Sequence, residues 1–422
     1  MACNTLGKSE SMKQSFIKII FIVLFILPSF VLADSDRPKV CLNMIVKNEK
    51  DVIVRCLTSV LPIIDYWVIV DTGSTDGTQE IIKDFMAKNA IPGELHESPW
   101  VNFSHNRNEA LKFADEKADY VLFIDADEYL EYEADFKLPP LDKDYYYIMI
   151  SHSGSKYCRI QLINNHLDWE WKGVLHEAIS CPVSKSHATL EKVLNIYTSE
   201  GARSKDPQKY HKDAQILEDA LKKEPHNSRY IFYLAQSYRD AGCYSKALEN
   251  YEKRAALGGW NEEVFWSLYQ IGVMEELLEM PFEKVLASYQ RAYQYRNSRI
   301  EPLYQIAHYL GLKGDFKLGY EMAKIALAVP TTTDILFVQD WMREYGILLE
   351  LSISAYWIGK YEESQQISLE LLKNKNLPPN VRACVENNLG FANAKLLEKI
   401  CNQVILSDRA VANQAAEQAS PR

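Results

Sequence analysis

Three short apolar runs constrain this chain more than anything else in it. Val40 to Val46 leads into Lys47, Asn48 and Glu49, and Tyr66 to Val70 leads into Asp71-Thr-Gly-Ser-Thr-Asp-Gly-Thr. Val121 to Ile124 leads into Asp125-Ala-Asp127. Runs this short suit buried strands. Between them, Val52, Leu57 and Val60 mark one helix, and Gln79 to Lys88 is predicted as a second, with Thr75 or Asp76 as its cap. Strand-helix-strand-helix-strand, with polar residues at the strand ends, reads as a doubly wound α/β nucleotide-binding domain. Such sheets bind ligands beyond the carboxyl ends of their strands. Asp71 there could accept hydrogen bonds from a nucleobase. Asp125 and Asp127, one residue apart on chain that is no longer pleated, can converge on a hard divalent cation that holds a diphosphate. Asp34-Ser-Asp36 and Asp142-Lys-Asp144 share the spacing but lie in polar sequence, so position after a buried strand singles out Asp125 and Asp127. No G-x-G-x-x-G opens the first helix and no G-x-x-x-x-G-K-S/T is present, which disfavours dinucleotide oxidoreductases and P-loop enzymes.

Four segments occur in order: Asn43-Met-Ile-Val-Lys-Asn-Glu49, Val70-Asp-Thr-Gly-Ser-Thr-Asp-Gly-Thr78, Asn106-Arg-Asn-Glu-Ala-Leu111 and Leu122-Phe-Ile-Asp-Ala-Asp-Glu128. Together they resemble the family-two nucleotide-sugar glycosyltransferases of the GT-A fold, over residues 39–200. The resemblance implies an inverting transfer of a sugar from a nucleotide-diphosphate donor, with Mg²⁺ or Mn²⁺. It sets Asp71 at the base, and Asp125 and Asp127 at the ribose and the metal-bound diphosphate. Asn48, Glu49, Asn106, Arg107 and Arg159 are further candidates for the nucleotide sugar. Arg159 lies in an expected strand, Tyr157 to Ile163, and Arg107 opens the helix before the acidic strand.

An acceptor hydroxyl must lose a proton as it attacks, so a carboxylate or His should face the sugar opposite the leaving group. Trp169-Glu-Trp-Lys-Gly-Val-Leu-His-Glu177 resembles the segment that closes the active site in related transferases. Glu177 is the first candidate for the base, with Glu170 and Glu128 as alternatives, and His176 is a candidate diphosphate or metal contact.

From about Lys205 onward the chain is helical. Phe232 to Gly242, Tyr304 to Gly314 and Leu349 to Gly359 repeat one layout, with a less regular copy around Tyr269 to Ala292. Phe232 to Tyr304 is a shift of 72 residues, about two tetratricopeptide lengths. Residues 205–400 resemble tetratricopeptide repeats, with an irregular insertion around Thr331 to Trp341. The aromatic stripe is expected in the core. The concave face of such an array suits a protein partner, self-association or the acceptor itself.

A chain of 422 residues is ample for two cores, and its net charge of −10, with no basic stripe, argues against a nucleic-acid partner. The eight cysteines show no C-x-x-C and no zinc spacing, so they are expected to be reduced, with Cys41 and Cys56 in the core. Residues 1–33 have the layout of a signal peptide or membrane anchor: Lys13 and Lys18, then Ile19 to Phe30, then Val31-Leu-Ala33. That segment implies export or anchoring, while a start codon further along would imply a cytoplasmic protein. Residues 401–422 are expected to be a disordered tail. Two functions follow: a metal-dependent transferase acting on a glycan, lipid or protein acceptor, or a repeat-based interaction protein whose α/β domain binds a nucleotide sugar with little turnover.

Overall fold

Residues 37–152 and 155–418 are described here from a computed structural model. The expected signal segment lies outside them. Chain order begins β1 (Val40–Val46), α1 (Ile53–Val60), β2 (Tyr66–Asp71), α2 (Thr78–Lys88), β3 (Gly93–Glu97), α3 (Phe103–Phe113) and β4 (Tyr120–Phe123). Strands β5 (Glu128–Tyr132), β6 (Tyr145–His152), β7 (Ser155–Asn164), β8 (Glu170–Lys172), β9 (Ala178–Ser180) and β10 (His187–Tyr197) follow. Eight of them form one sheet in the order β3-β2-β1-β4-β7-β6-β10-β5, and β8 pairs with β9.

The first four strands of that order are parallel. Their apolar runs are continuous because both faces are covered. On one face Leu42, Met44, Ile69 and Leu122 pack with Ile53, Cys56, Leu57 and Val60 of α1 and with Ile82 and Met86 of α2. The helical spacing of the α1 residues is what turns them all to the sheet. On the other face Cys41, Val68, Val121 and Phe123 meet Leu111, Ala114, Trp169 and Trp171. Cys41 and Cys56 are buried free thiols, and burial pushes both up, Cys41 to about 12. Chain order runs outward from β1 through β2 to β3, then returns to β4 on the other side of β1. The carboxyl ends of β1 and β4 are therefore the topological switch point, the place where open α/β sheets bind ligands. Beyond β4 the sheet is mixed: β7 is antiparallel to β4, and β6 to β7.

The helical half comprises α4 (Lys209–Leu221), α5 (Ser228–Asp240), α6 (Tyr244–Ala256), α7 (Asn261–Leu277), α8 (Phe282–Tyr295), α9 (Glu301–Leu312), α10 (Phe316–Ala328), α11 (Ile347–Trp357), α12 (Tyr361–Lys373) and α13 (Pro379–Gln418). Gly242, Gly314 and Gly359 close α5, α9 and α11 with positive φ, the conformation a helix terminus before a tight turn requires. The aromatic stripe is core: Phe232, Tyr251, Phe265, Tyr269 and Tyr289 are all nearly inaccessible. Two expectations change. Residues 401–418 continue α13 instead of forming a loose tail, consistent with the strong helix formers Ala, Gln and Leu there. The insertion between α10 and α11 is not merely irregular. Asp334 pairs with Arg296 and with buried Arg299, whose guanidinium also meets Glu301 (2.6 Å) and the carbonyls of Leu336 and Phe337 (3.1 Å each). So fixed, the insertion docks on β7. Lys156 and Val338 exchange backbone hydrogen bonds of 3.2 Å, and Cys158 N–H donates to the Ile335 carbonyl (3.3 Å).

Candidate functional site

At the end of β2, Asp71 is buried, and its Oδ1 accepts the backbone N–H groups of Gly73 and Ser74 at 2.8 Å each. Its Oδ2 is buried without a partner. A buried carboxylate oxygen left unpaired is costly. A ligand N–H, such as that of a nucleobase, would satisfy it. Asn48, in left-handed backbone (φ 59°), shapes the same pocket. Its N–H donates to Ser74 Oγ and its Oδ1 accepts from Thr75 N–H, both at 2.8 Å. Asn48 therefore braces the loop.

Asp125, just past β4, lies between two arginines. Arg107 Nη2 on α3 donates to its Oδ1 at 2.6 Å, and Arg159 Nη1 on β7 faces its Oδ2 at 3.4 Å. Burial favours neutral Asp125, but Arg107 and then Arg159 outweigh burial and hold the carboxyl below its ordinary range. Arg107 Nε also donates to Glu177 Oε1 at 2.5 Å, and its guanidinium lies 5.1 Å from the Trp171 ring centroid. Arg159 Nη2 donates to Glu128 at 2.6 Å, and buried Glu128 also accepts from Asn195 (2.9 Å) and from the Asp125 N–H (3.1 Å). Its Oε2 thus accepts three hydrogen bonds, which ties Glu128 to β7, β10 and Asp125. Glu170 pairs with Lys172 (3.1 Å) in an exposed position. Of the three carboxylates considered for the base, only Glu177 pairs directly with Arg107, while Glu128 meets Asp125 through its backbone N–H and through Arg159.

Asp127 behaves differently from Asp125. Burial, then the charges of Asp125, Glu128 and Glu49, push its carboxyl up to about 7. Glu49 is also raised to about 7, chiefly by burial, against the Ala202 N–H and Lys205. Carboxyls gathered so that each resists the others' charge gain most from a bound cation. The donor set is oxygen, which suits Mg²⁺ or Mn²⁺. Among the described residues no three His, Cys, Asp or Glu side chains form a complete cation cage. Asp127 would share such an ion with diphosphate and water.

Two expectations are corrected. Asn106 is fully buried; its Oδ1 accepts the Val101 N–H (2.9 Å) and its Nδ2 donates to the Pro99 carbonyl (3.0 Å). Its amide holds the loop before α3 and has no free face for a nucleotide. The His176 ring stacks on Tyr233 of α5, with centroids 4.0 Å apart and planes 10° from parallel. Among the described residues no group of three His, Cys, Asp or Glu side chains that could hold a metal includes it, and its described contacts are with α5.

One element escaped the sequence. Residues 198–205, which read as a junction between domains, cross directly over the acidic residues. Thr198 donates its N–H (3.1 Å) and hydroxyl (2.7 Å) to the Asp127 carbonyl. Ala202 N–H reaches the Glu49 carboxylate at 3.2 and 3.3 Å, and Lys205 pairs with Asp51 at 2.8 Å. A Cβ on Gly201 would lie 2.8 Å from Asp127 Oδ2, so an added methyl would displace the Asp127 carboxylate or the segment itself. The one available signal was Gly201 itself, placed where the strand pattern stops. Beside the network, a cleft of about 670 Å³ opens between α3, the β8–β9 hairpin and the start of α5, lined by His105, Asn108, Trp171, Lys172, Arg229 and Tyr230 among others.

Residues 41–156 match the model of Glycosyl transferase family 2. The chain is 26% identical over 247 residues to the SPbeta prophage-derived glycosyltransferase SunS of Bacillus subtilis, covering 52% of this chain and 55% of that one. It is 39% identical over 97 residues to a TPR repeat-containing protein of Synechococcus elongatus, covering 23% and 22% of the two chains. The chain thus spans about half the length of the first relative, and less of the second. Among solved structures, the C-terminal part of a TPR repeat-containing protein from Cytophaga hutchinsonii aligns at 18% identity with a TM-score of 0.37, over 45% of this chain and 67% of that one. Residues 41–156 are thus similar to family-two glycosyltransferases, and a shorter stretch of the chain is similar to a TPR repeat-containing protein.

Proposed function

We propose that this family-two domain is a metal-dependent inverting glycosyltransferase. It would take a nucleotide-diphosphate sugar as donor and a hydroxyl of a glycan, lipid or protein as acceptor. The observation that carries the reading is the switch-point arrangement itself. A buried Asp71 oxygen waits for a donor at one side, and Asp127 and Glu49 concentrate unneutralised carboxyls at the other. A nucleobase and a cation-bound diphosphate are the two ends of one ligand that answers both.

In the transfer, the acceptor oxygen forms a bond to the anomeric carbon as that carbon's bond to the diphosphate oxygen breaks. The acceptor proton passes to Glu177, and the nucleoside diphosphate leaves with the bonding pair. When bound, Mg²⁺ or Mn²⁺ supplies charge neutralisation for that leaving group. Glu177 is placed by Arg107, which also fixes Asp125, so the base and the donor-side carboxylate share one support. The cleft walled by the β8–β9 hairpin gives an acceptor access to the side of the domain where the Glu177 loop lies. Substitution of Glu177 by Gln tests this assignment. Turnover should fall about a hundredfold, the order expected for losing a general base, with donor affinity unchanged. Normal turnover in that variant would remove Glu177 from the role.

A further inference from the structure

The loop that carries Glu177 belongs, in packing terms, to the repeat array. Between β8 and β9 the chain leaves the α/β layers. Leu175 is 2% exposed and sits in the same core as Leu217, Tyr230 and Phe232. His176 follows with φ 51°, a conformation that a non-glycine residue keeps only where its surroundings hold it. Its surroundings are supplied by α5. The Tyr233 ring stacks on the imidazole, and Arg229 Nε donates to the His176 carbonyl at 2.9 Å. The Arg229 guanidinium lies 5.0 Å from the Tyr233 ring centroid. One residue further on, Glu177 receives Arg107, and Arg107 reaches Asp125.

We infer that Tyr233 and Arg229 are positioning residues for Glu177, so the first repeat helix is part of the active-site framework. The contacts run from Tyr233 through His176 and Glu177 to Arg107 and Asp125. Among the described residues, the stacking on His176 and the hydrogen bond to its carbonyl come from α5, and Leu175 shares its core with α4 and α5. Without those contacts Glu177 would sample positions away from Arg107, and reaction rates are sensitive to displacements of about 1 Å. The inference rests on the assignment of Glu177 as base, but it can be tested separately from that assignment.

The test uses the full chain with Tyr233→Leu, Tyr233→Phe and, for comparison, Glu177→Gln. Hydrogen exchange of the Val174 to Glu177 amides is read alongside metal-dependent hydrolysis of a panel of nucleotide-diphosphate sugars. Tyr233→Leu should raise exchange in that loop about tenfold and lower kcat about tenfold, with the donor KM within about twofold. Tyr233→Phe keeps the stacking ring and should restore both. Arg229→Ala provides the same readout if Tyr233→Leu proves insoluble. Unchanged loop exchange and kcat in the Tyr233→Leu and Arg229→Ala variants would overturn the inference, as would a Tyr233→Phe variant as slow as Tyr233→Leu. Exchange requires no turnover. A wild type without hydrolysis would count against the transferase reading, and unaltered exchange would count against the positioning role.

Discussion

The two sides of the candidate site are built in opposite ways. The donor side is local: Asp71, Asp125 and Asp127 each lie within a few residues of the parallel strand that delivers them. The reaction side is assembled from afar: Arg107 on α3 meets Glu177, 70 residues later, and the loop of Glu177 is seated on a repeat helix later still. The local side lies within the segment that matches the family model, residues 41–156. The distant side also depends on Glu177 and on α5, both of which fall outside the matched segment, residues 41–156. The division between catalytic domain and repeats, clear in the sequence, is therefore not a division of labour.

The largest effect should come from cutting the chain after Gly201. That removes the N–H that meets Glu49, the α5 support for the Glu177 loop and the insertion docked on β7, while exposing Leu175. The fragment should lose cooperative thermal melting. A stable, nucleotide-binding fragment would show that the two sides are independent after all. Next is Asp127→Ala, which should leave the fold intact and abolish metal-dependent donor hydrolysis. Loss of the cation's charge stabilisation is worth several kcal/mol, about a thousandfold in rate. Hydrolysis at the wild-type rate would break the donor-side account.

A smaller effect is expected from Gly201→Ala. The added methyl must displace either the Asp127 carboxylate or residues 198–205, and metal-dependent donor binding should weaken about tenfold with little change in melting temperature. Donor titration reads this, and unaltered affinity would show that the crossing segment is passive.

The smallest is a pH effect on the metal-free chain. Asp127 and Glu49 have folded-state values near 7, above the usual carboxyl range, so the native state holds protons that the unfolded chain gives up. Their stability contribution is fully present below the unfolded carboxyl range and is lost as pH rises through about 7. With a chelator present, the melting temperature should fall as pH rises from about 5 to about 8, and Asp127→Asn should flatten that slope. A slope that Asp127→Asn leaves unchanged would assign it to other groups.

The positions of Asp71, Asp125 and Asp127 at strand ends were legible because strand ends are a local matter. An apolar run sets the strand, and the residues after it are bound to fall at the crevice. The helical repeats were legible for a similar reason, since aromatic and small residues recur at fixed spacing. Asn106 misled because its polar side chain at a helix start looks the same whether it faces a ligand or a neighbouring loop. His176 misled because its partner, Tyr233, is on another element. The crossing of Gly201 over Asp127 depends on where β10 ends relative to β4, which pattern alone does not specify. The pairing of Asp334 in the insertion with Arg296 and Arg299 was likewise beyond reach, since 38 and 35 residues separate the partners.

The most direct test of the donor side is thermal stabilisation of the full chain by nucleotide-diphosphate sugars, with Mn²⁺, Mg²⁺ or a chelator. A ligand that binds only the native state raises stability with the logarithm of its concentration over its dissociation constant. The account predicts a rise in melting temperature for sugars carried on one nucleotide, present with the cation and lost with the chelator or with Asp127→Ala. No rise with any donor, or an equal rise with the chelator, would contradict it.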